Sequence, residues 1–179
     1  NRFHPVCLIG RCARRMETLA RQRWGGTFHA GMAAALATCI AAWFGCAALF
    51  LPFSLLPSPW APWIPSVLVI YICMAPRSLA EHARKVENAL RSGNAGEARH
   101  SVSMIVGRDT ERMDVYGIAR AAIESVAENL TDGVFSTLFW SSAGCLAGGA
   151  SGAASAALAH RVFNILDAMW GKKNDRYKH

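Results

Sequence analysis

Three carboxylates, Glu124, Glu128 and Asp132, recur at strict four-residue spacing within residues 121–133. Residues four apart share one face of a helix, where like charges cost an isolated helix about 0.2–0.5 kcal/mol per pair. A cation has to offset that repulsion. Arg120 stands one turn earlier and Ser125 and Asn129 lie beside the row, so oxygen ligands and a guanidinium gather into one strip. Mg2+ takes one or two carboxylates and completes its shell with water and substrate phosphates. The pattern therefore suits an enzyme handling ATP or a phosphorylated substrate. A solvated helix face with Arg120 paired to Glu124 is the other reading of the same residues.

Further clusters carry polar chemistry. In Val106-Gly107-Arg108-Asp109-Thr110 the glycine permits an unusual backbone angle and the arginine offers a planar fork for phosphate. A helix start after this turn would supply free N–H groups that favour anions. The turn reads as a phosphate site or as a plain helix connection capped by Asp109. Asn164 and Asp167 lie three apart on an otherwise apolar helix, ahead of a polar run containing Lys172, Lys173 and Asn174. Polar groups on an apolar helix need partners or mark a site, although charge alone makes the final run a basic membrane-edge anchor. Adjacent Glu81 and His82 supply a candidate acid, base or ligand, but no His-x-x-x-His or Cys–His spacing supports zinc. The six cysteines contain no Cys-x-x-Cys pair and read as buried free thiols. Neither a nucleophile elbow nor a complete P-loop is present.

The elements that must position these residues belong to a membrane protein by composition, which is 53% hydrophobic and 17% charged. Nine of the twelve acids fall between residues 81 and 132, so the net charge of +7 sits at the two ends. Arg11, Arg14, Arg15, Arg21 and Arg23 precede the first apolar run, and Arg161, Lys172, Lys173, Arg176 and Lys178 follow the last. Because these clusters flank apolar runs and belong to no nucleic-acid module, a nucleic-acid partner is set aside.

Residues 30–56 carry no charge, and about 20 apolar residues cross a hydrocarbon core of about 30 Å. After a turn over residues 57–62, with Trp60 and Trp63 beside it, residues 63–75 would return as the second arm of a hairpin, interrupted by Pro65. Residues 76–133 read as a polar helical insert. Ser78 and Glu81 form a capping box, Leu79, Ala83, Val86 and Leu90 follow at helical spacing, and Gly93 stops the helix. Asn94 with Glu97 caps a second helix, carrying Ala98, Val102 and Ile105 and ending at Gly107. A third starts near Asp109 or Thr110 and ends at Gly133.

Residues 134–160 form a Gly/Ala-rich membrane or re-entrant segment. Gly144, Gly148 and Gly152 recur at the spacing that lets helices approach closely in lipid, and Phe135, Leu138, Phe139 and Trp140 are poor linker residues. A single full crossing here would place the basic C-terminal end opposite the basic N-terminal region, against the positive-inside tendency. A re-entrant hairpin or two short helices would avoid that. The expected fold is all-α: a multi-pass helical membrane protein with a helical polar insert between membrane segments.

Several strings together resemble the CobD/CbiB family, integral-membrane adenosylcobinamide-phosphate synthases of cobalamin biosynthesis. They are Asn1-Arg2-Phe3-His4-Pro5-Val6, Arg77-Ser78-Leu79-Ala80-Glu81-His82, Ile105-Val106-Gly107-Arg108-Asp109-Thr110, residues 120–129 with Asp132-Gly133, Phe139-Trp140, and residues 164–167 followed by Lys173-Asn174-Asp175-Arg176-Tyr177. The likeness runs over almost the whole chain, residues 1–179, in consistent order. It implies that a carboxyl of adenosylcobyric acid is joined by an amide bond to aminopropanol phosphate or a related amino-alcohol phosphate. ATP as co-substrate, Mg2+ and the corrinoid substrate are the implied companions.

In that setting Glu124, Glu128 and Asp132 are assigned to Mg2+, and Glu81, His82, Glu124 and Glu128 to catalysis. Substrate and phosphate contacts are assigned to Arg108, Asp109, Arg120, Asn129, Asn164, Asp167, Lys173 and Asn174. The resemblance implies the cell membrane as location, an active site facing the cytoplasm, and the lipid bilayer as partner, with a homo-oligomer or other cobalamin-pathway proteins as further partners. Family members have an apolar segment before the first string and an extension after the last, so the chain is expected to be a piece of a longer protein. Lys172 also stands where the family commonly has an aromatic residue. A non-catalytic AmpE-like membrane regulator is the alternative; a channel or transporter is disfavoured by the charge-free tracts.

Overall fold

The computed structural model describes residues 5–74, 76–107 and 109–171, with residues 76–78 described in backbone only. The elements are helices α1 (Pro5–Trp24), α2 (Phe28–Ser54), α3 (Trp63–Cys73), α4 (Pro76–Arg91), α5 (Ala95–Ser103), α6 (Val115–Leu130), a π-helical turn (Thr131–Phe135) and α7 (Ser136–Trp170). No strand occurs among the described residues. The chain divides into two units, an apolar one drawn from Asn1–Cys73 and Thr137–His179, and a contiguous polar one, Met74–Ser136.

The apolar unit is built on α2, whose 27 residues carry no Asp, Glu, Lys or Arg. Its length, about 40 Å at 1.5 Å per residue, exceeds the roughly 30 Å of a hydrocarbon core. Among the described residues it is the one helix long and apolar enough to cross a membrane; α3 is apolar but shorter. The small residues Ala30, Ala34, Thr38 and Cys46 are buried, while Leu36, Ile40, Trp43, Phe44 and Leu51 are exposed. Pro65, expected to interrupt α3, is instead buried inside its first turn, where its missing N–H has no intrahelical bond to lose.

Helix α1 was not foreseen from sequence. It turns back onto α2 through Gly25, at φ 69°, and its Ala20 packs with Ala30 and Ala34. Its inward face carries Ile9, Ala13, Met16 and Ala20 at helical spacing, a stripe made inconspicuous by its small alanines and by the arginines around it.

The glycine-rich tract is neither a linker nor a straight helix. Gly148 (φ −152°, ψ 25°) and Gly149 (φ 59°, ψ −144°) break α7. Gly144 and Gly152 then face each other: a methyl on either would overlap the other's backbone, and one on Gly144 would also come within 2.6 Å of the Ala156 Cβ. In a straight helix these glycines would stand about 12 Å apart, so the tract doubles back as a hairpin. The small-residue spacing works across the bend, not along one helix, and Gly148 has open space where its Cβ would be.

The hairpin is fixed at both levels. Near its tip, the Ser66 hydroxyl of α3 donates to the Ala150 carbonyl at 2.6 Å. Farther along, Ala154 packs with Cys46, Val69 and Cys73, and Val162 and Leu166 pack with Ala13. At its end, Trp170 lies against the cluster of Ala20, Ala30 and Ala34. The second arm of α7 thus returns to the end of the unit where α2 begins.

The polar unit is a three-helix packing of α4, α5 and α6 around Val86, Ala89, Ala98, Val102, Ile118 and Ala121. Helix α4 starts at Pro76, two residues before the expected Ser78 cap; proline fits the first helical turn because that N–H would be unpaired anyway. It ends at Gly93 (φ 71°), with Gly93 N–H bonded to Leu90 O and Asn94 N–H to Ala89 O, each at 3.1 Å. This is the paired arrangement of a left-handed C-terminal cap. Asn94 then caps α5, its side-chain oxygen accepting from Glu97 N–H at 3.1 Å.

Helix α6 starts later than expected. Asp114, accepting from Gly117 N–H at 2.7 Å, is its cap, whereas Asp109 closes a local turn by accepting from Glu111 N–H at 3.0 Å. Nor does Gly133 end the helix. The backbone passes through Thr131–Phe135 into α7, with Ser136 N–H bonded to Thr131 O.

Candidate functional site

The carboxylate row lies on the last turns of α6. Glu124 and Glu128 are exposed, Asp132 is half-buried within the π-helical turn, and Ser125 between them is buried. The extra residue in this turn slips the hydrogen-bond ladder by one, a feature frequent at functional positions. Thr131 N–H is shared between the carbonyls of Ala127 and Glu128.

Ser125 ties the row to the loop between α5 and α6. Its hydroxyl donates to the Ile105 carbonyl at 2.6 Å, and Asn129 donates to the Ser125 carbonyl at 2.8 Å. The far side of the loop is held by α5: Arg99 Nε donates to the Met113 carbonyl at 2.9 Å, and the Thr110 hydroxyl donates to the Arg99 carbonyl at 3.2 Å. The polar turn with Gly107 and Asp109 is thereby anchored at both ends beside the helix that carries the row.

Glu81 and His82 lie on α4 in the same unit, Glu81 exposed and His82 half-buried. Helix α5 folds back on α4 through the Gly93 turn, and the residues just after α5 are pinned to Ser125. The beginning of α4 and the end of α6 therefore lie toward the same end of the unit. Arg120 is exposed one turn before Glu124; the ion pairs among the described residues include Arg21–Glu17 and Arg91–Glu87.

Among the described residues no group of three or more His, Cys, Asp or Glu side chains is close enough to hold an ion, so Glu124, Glu128 and Asp132 do not form a ready-made three-carboxylate cage. Two exposed carboxylates one turn apart still fit Mg2+, which draws its remaining ligands from water and phosphate. Asn164, half-buried, and Asp167, exposed, belong to the apolar unit on the second arm of α7. Arg108, Lys173 and Asn174 lie outside the described residues.

Sequence reasoning missed Glu17. This carboxylate, 5% exposed, accepts from Arg21 Nε at 3.0 Å and from the Trp170 indole N–H at 3.1 Å, beside a cavity of about 370 Å3 reaching Thr27 and Ala34. The available signal was one acid among five arginines, four residues before Arg21.

The chain matches the family described as CobD/Cbib protein over residues 1–179. It is 39% identical over 182 residues to the "Cobalamin biosynthesis protein CobD" of Stutzerimonas stutzeri, covering 99% of this chain and 54% of that protein. The protein of the same name from Chromobacterium violaceum is 40% identical over 183 residues, with the same coverage. "Cobalamin biosynthesis protein CbiB" of Salmonella typhimurium is 34% identical over 177 residues, covering 98% of the chain and 53% of the relative. The chain spans about half the length of these curated relatives. No solved structure matches it. The order of the polar strings, the all-helical fold and the match along its full length agree: the chain belongs to the CobD/CbiB family.

Proposed function

We propose that this chain is part of a membrane-embedded enzyme of cobalamin biosynthesis, which joins adenosylcobyric acid to an amino-alcohol phosphate in an amide bond at the expense of ATP. The observation that carries the reading is the Ser125–Ile105 bond, which ties the segment just before Gly107 to the helix that carries Glu124 and Glu128. An acid–amine ligation needs phosphate held near a cation and a base near the amine, and this arrangement brings suitable side chains to one end of one unit.

Glu124 and Glu128, with Asp132 at the edge, would hold Mg2+ through two carboxylates at a time. The bound ion would shield negative charge on the nucleotide and the activated carboxyl. Arg120 and Asn129 would orient phosphate oxygens, with Arg108 and Lys173 as further cations. Glu81 or His82 would take the proton of the attacking amine. Asn164 and Asp167 are further residues proposed to contact substrate.

The same reading makes the protein multi-pass. Helix α2 crosses, α3 and the α7 hairpin complete the apolar bundle, and the arginines of α1 share one end of the unit with the close of α7. Positive charge then gathers on the cytoplasmic side.

Membranes carrying the full-length protein, supplied with adenosylcobyric acid, aminopropanol phosphate, ATP and Mg2+, should form the amide product. Glu124→Ala and Glu128→Ala should each reduce the rate by at least about a hundredfold while the protein stays in the membrane. Full activity in both variants would remove the metal role. Absence of product from the unaltered protein would favour the regulatory reading.

A further inference from the structure

Helix α1 presents Arg11, Arg14 and Arg15 around an open groove of about 470 Å3 completed by Thr18, Leu19 and Gln22. Arg14 and Arg15 are exposed. The helix has no acid on this face, because Glu17 is turned inward onto Arg21 and Trp170. Exposed Leu8 and Leu19 lie along the same stripe. A face of guanidinium groups interleaved with leucines has the character of the boundary between lipid headgroups and acyl chains.

The position of this face agrees with its chemistry. Helix α2 is about 10 Å longer than the hydrocarbon layer requires. Helix α1 runs back along the beginning of α2, with Ala20 against Ala30 and Ala34. Arg14 and Arg15 lie about 14–15 Å from the C-terminal end of α1, close to the level at which the hydrocarbon would begin, whereas Arg11 lies a further turn along the helix. A soluble nucleotide is a poorer match, since the groove is open and edged by leucines with no enclosing set of donors.

We propose that Arg14 and Arg15 bind the phosphodiester headgroup of an anionic phospholipid in the leaflet at the start of α2. The proposal rests on the membrane reading above. Anionic headgroups attract juxtamembrane cations individually, and each arginine removed should weaken binding about fivefold.

The test uses the full-length protein in nanodiscs of phosphatidylcholine mixed with phosphatidylglycerol, with retained lipid measured by native mass spectrometry after extraction. The unaltered protein should keep phosphatidylglycerol preferentially. Arg14→Gln with Arg15→Gln should lose most of that preference, Arg14→Lys with Arg15→Lys should keep it, and Arg84→Gln with Lys85→Gln, on α4, should leave it unchanged. Equal retention of the two lipids, or an Arg14/Arg15 glutamine variant that behaves as the unaltered protein, would overturn the proposal. Displacement of the lipid by inorganic phosphate at constant ionic strength would also overturn it, by identifying a soluble-phosphate site. Extraction by alkaline carbonate would instead overturn the membrane reading and this inference with it, so the two failures are distinguishable.

Discussion

Ser125 joins two segments that sequence spacing treats separately. Replacing it by alanine removes its bond to the Ile105 carbonyl, and losing a buried hydrogen bond costs about 1 kcal/mol. Ser125→Ala should lower the thermal midpoint of the purified protein modestly and raise the KM for ATP or the amino-alcohol phosphate more than it lowers kcat. An effect on kcat alone would show that the loop is not a binding element. The carboxylates were legible because four-residue spacing is visible without a structure. The serine was not, since its partner lies 20 residues away, across a loop whose path depends on Arg99 and Thr110.

Helices α4 and α5 were largely readable, because apolar residues at helical spacing and the Asn94–Glu97 pair are local signals. Asn94→Ala should destabilise the polar unit by about 1 kcal/mol, seen as faster hydrogen exchange in α5. Helix α7 was harder to read. Glycines four apart look alike whether they line one helix or meet across a bend, and the positive φ of Gly149 leaves no separate mark in composition. The two cases differ on substitution. Gly144→Ala or Gly152→Ala should cost about 1–3 kcal/mol by forcing the arms apart, whereas Gly148→Ala meets nothing within 4 Å and should leave the melting temperature close to that of the unaltered protein. Equal sensitivity at all three positions would contradict the hairpin.

For the whole molecule, the bend decides how the ends are sorted. Trp170 bonds to Glu17, so the chain finishes the hairpin at the end where α2 starts, and the conflict raised by a single crossing disappears. In a cysteine-free background, Gln22→Cys and Ala168→Cys should react with an impermeant thiol reagent from the same side of sealed vesicles, and Ser58→Cys from the other. Labelling of Gln22→Cys and Ala168→Cys from opposite sides would refute this topology. Helix α1 escaped notice at this scale too, because its arginines dominate the pattern around the packed stripe of Ile9, Ala13, Met16 and Ala20.

The bond between Glu17 and Trp170 spans 153 positions in the chain, and the polar unit, Met74–Ser136, is encoded wholly inside that interval. The ribosome therefore delivers the inner unit complete before the outer one can close. Helices α1 to α3 must wait without the second arm of α7, while α4 to α6 already have one another. Biogenesis, more than final stability, is where loss of Glu17 or Trp170 should be felt: as early proteolysis of newly made protein with the polar unit already folded.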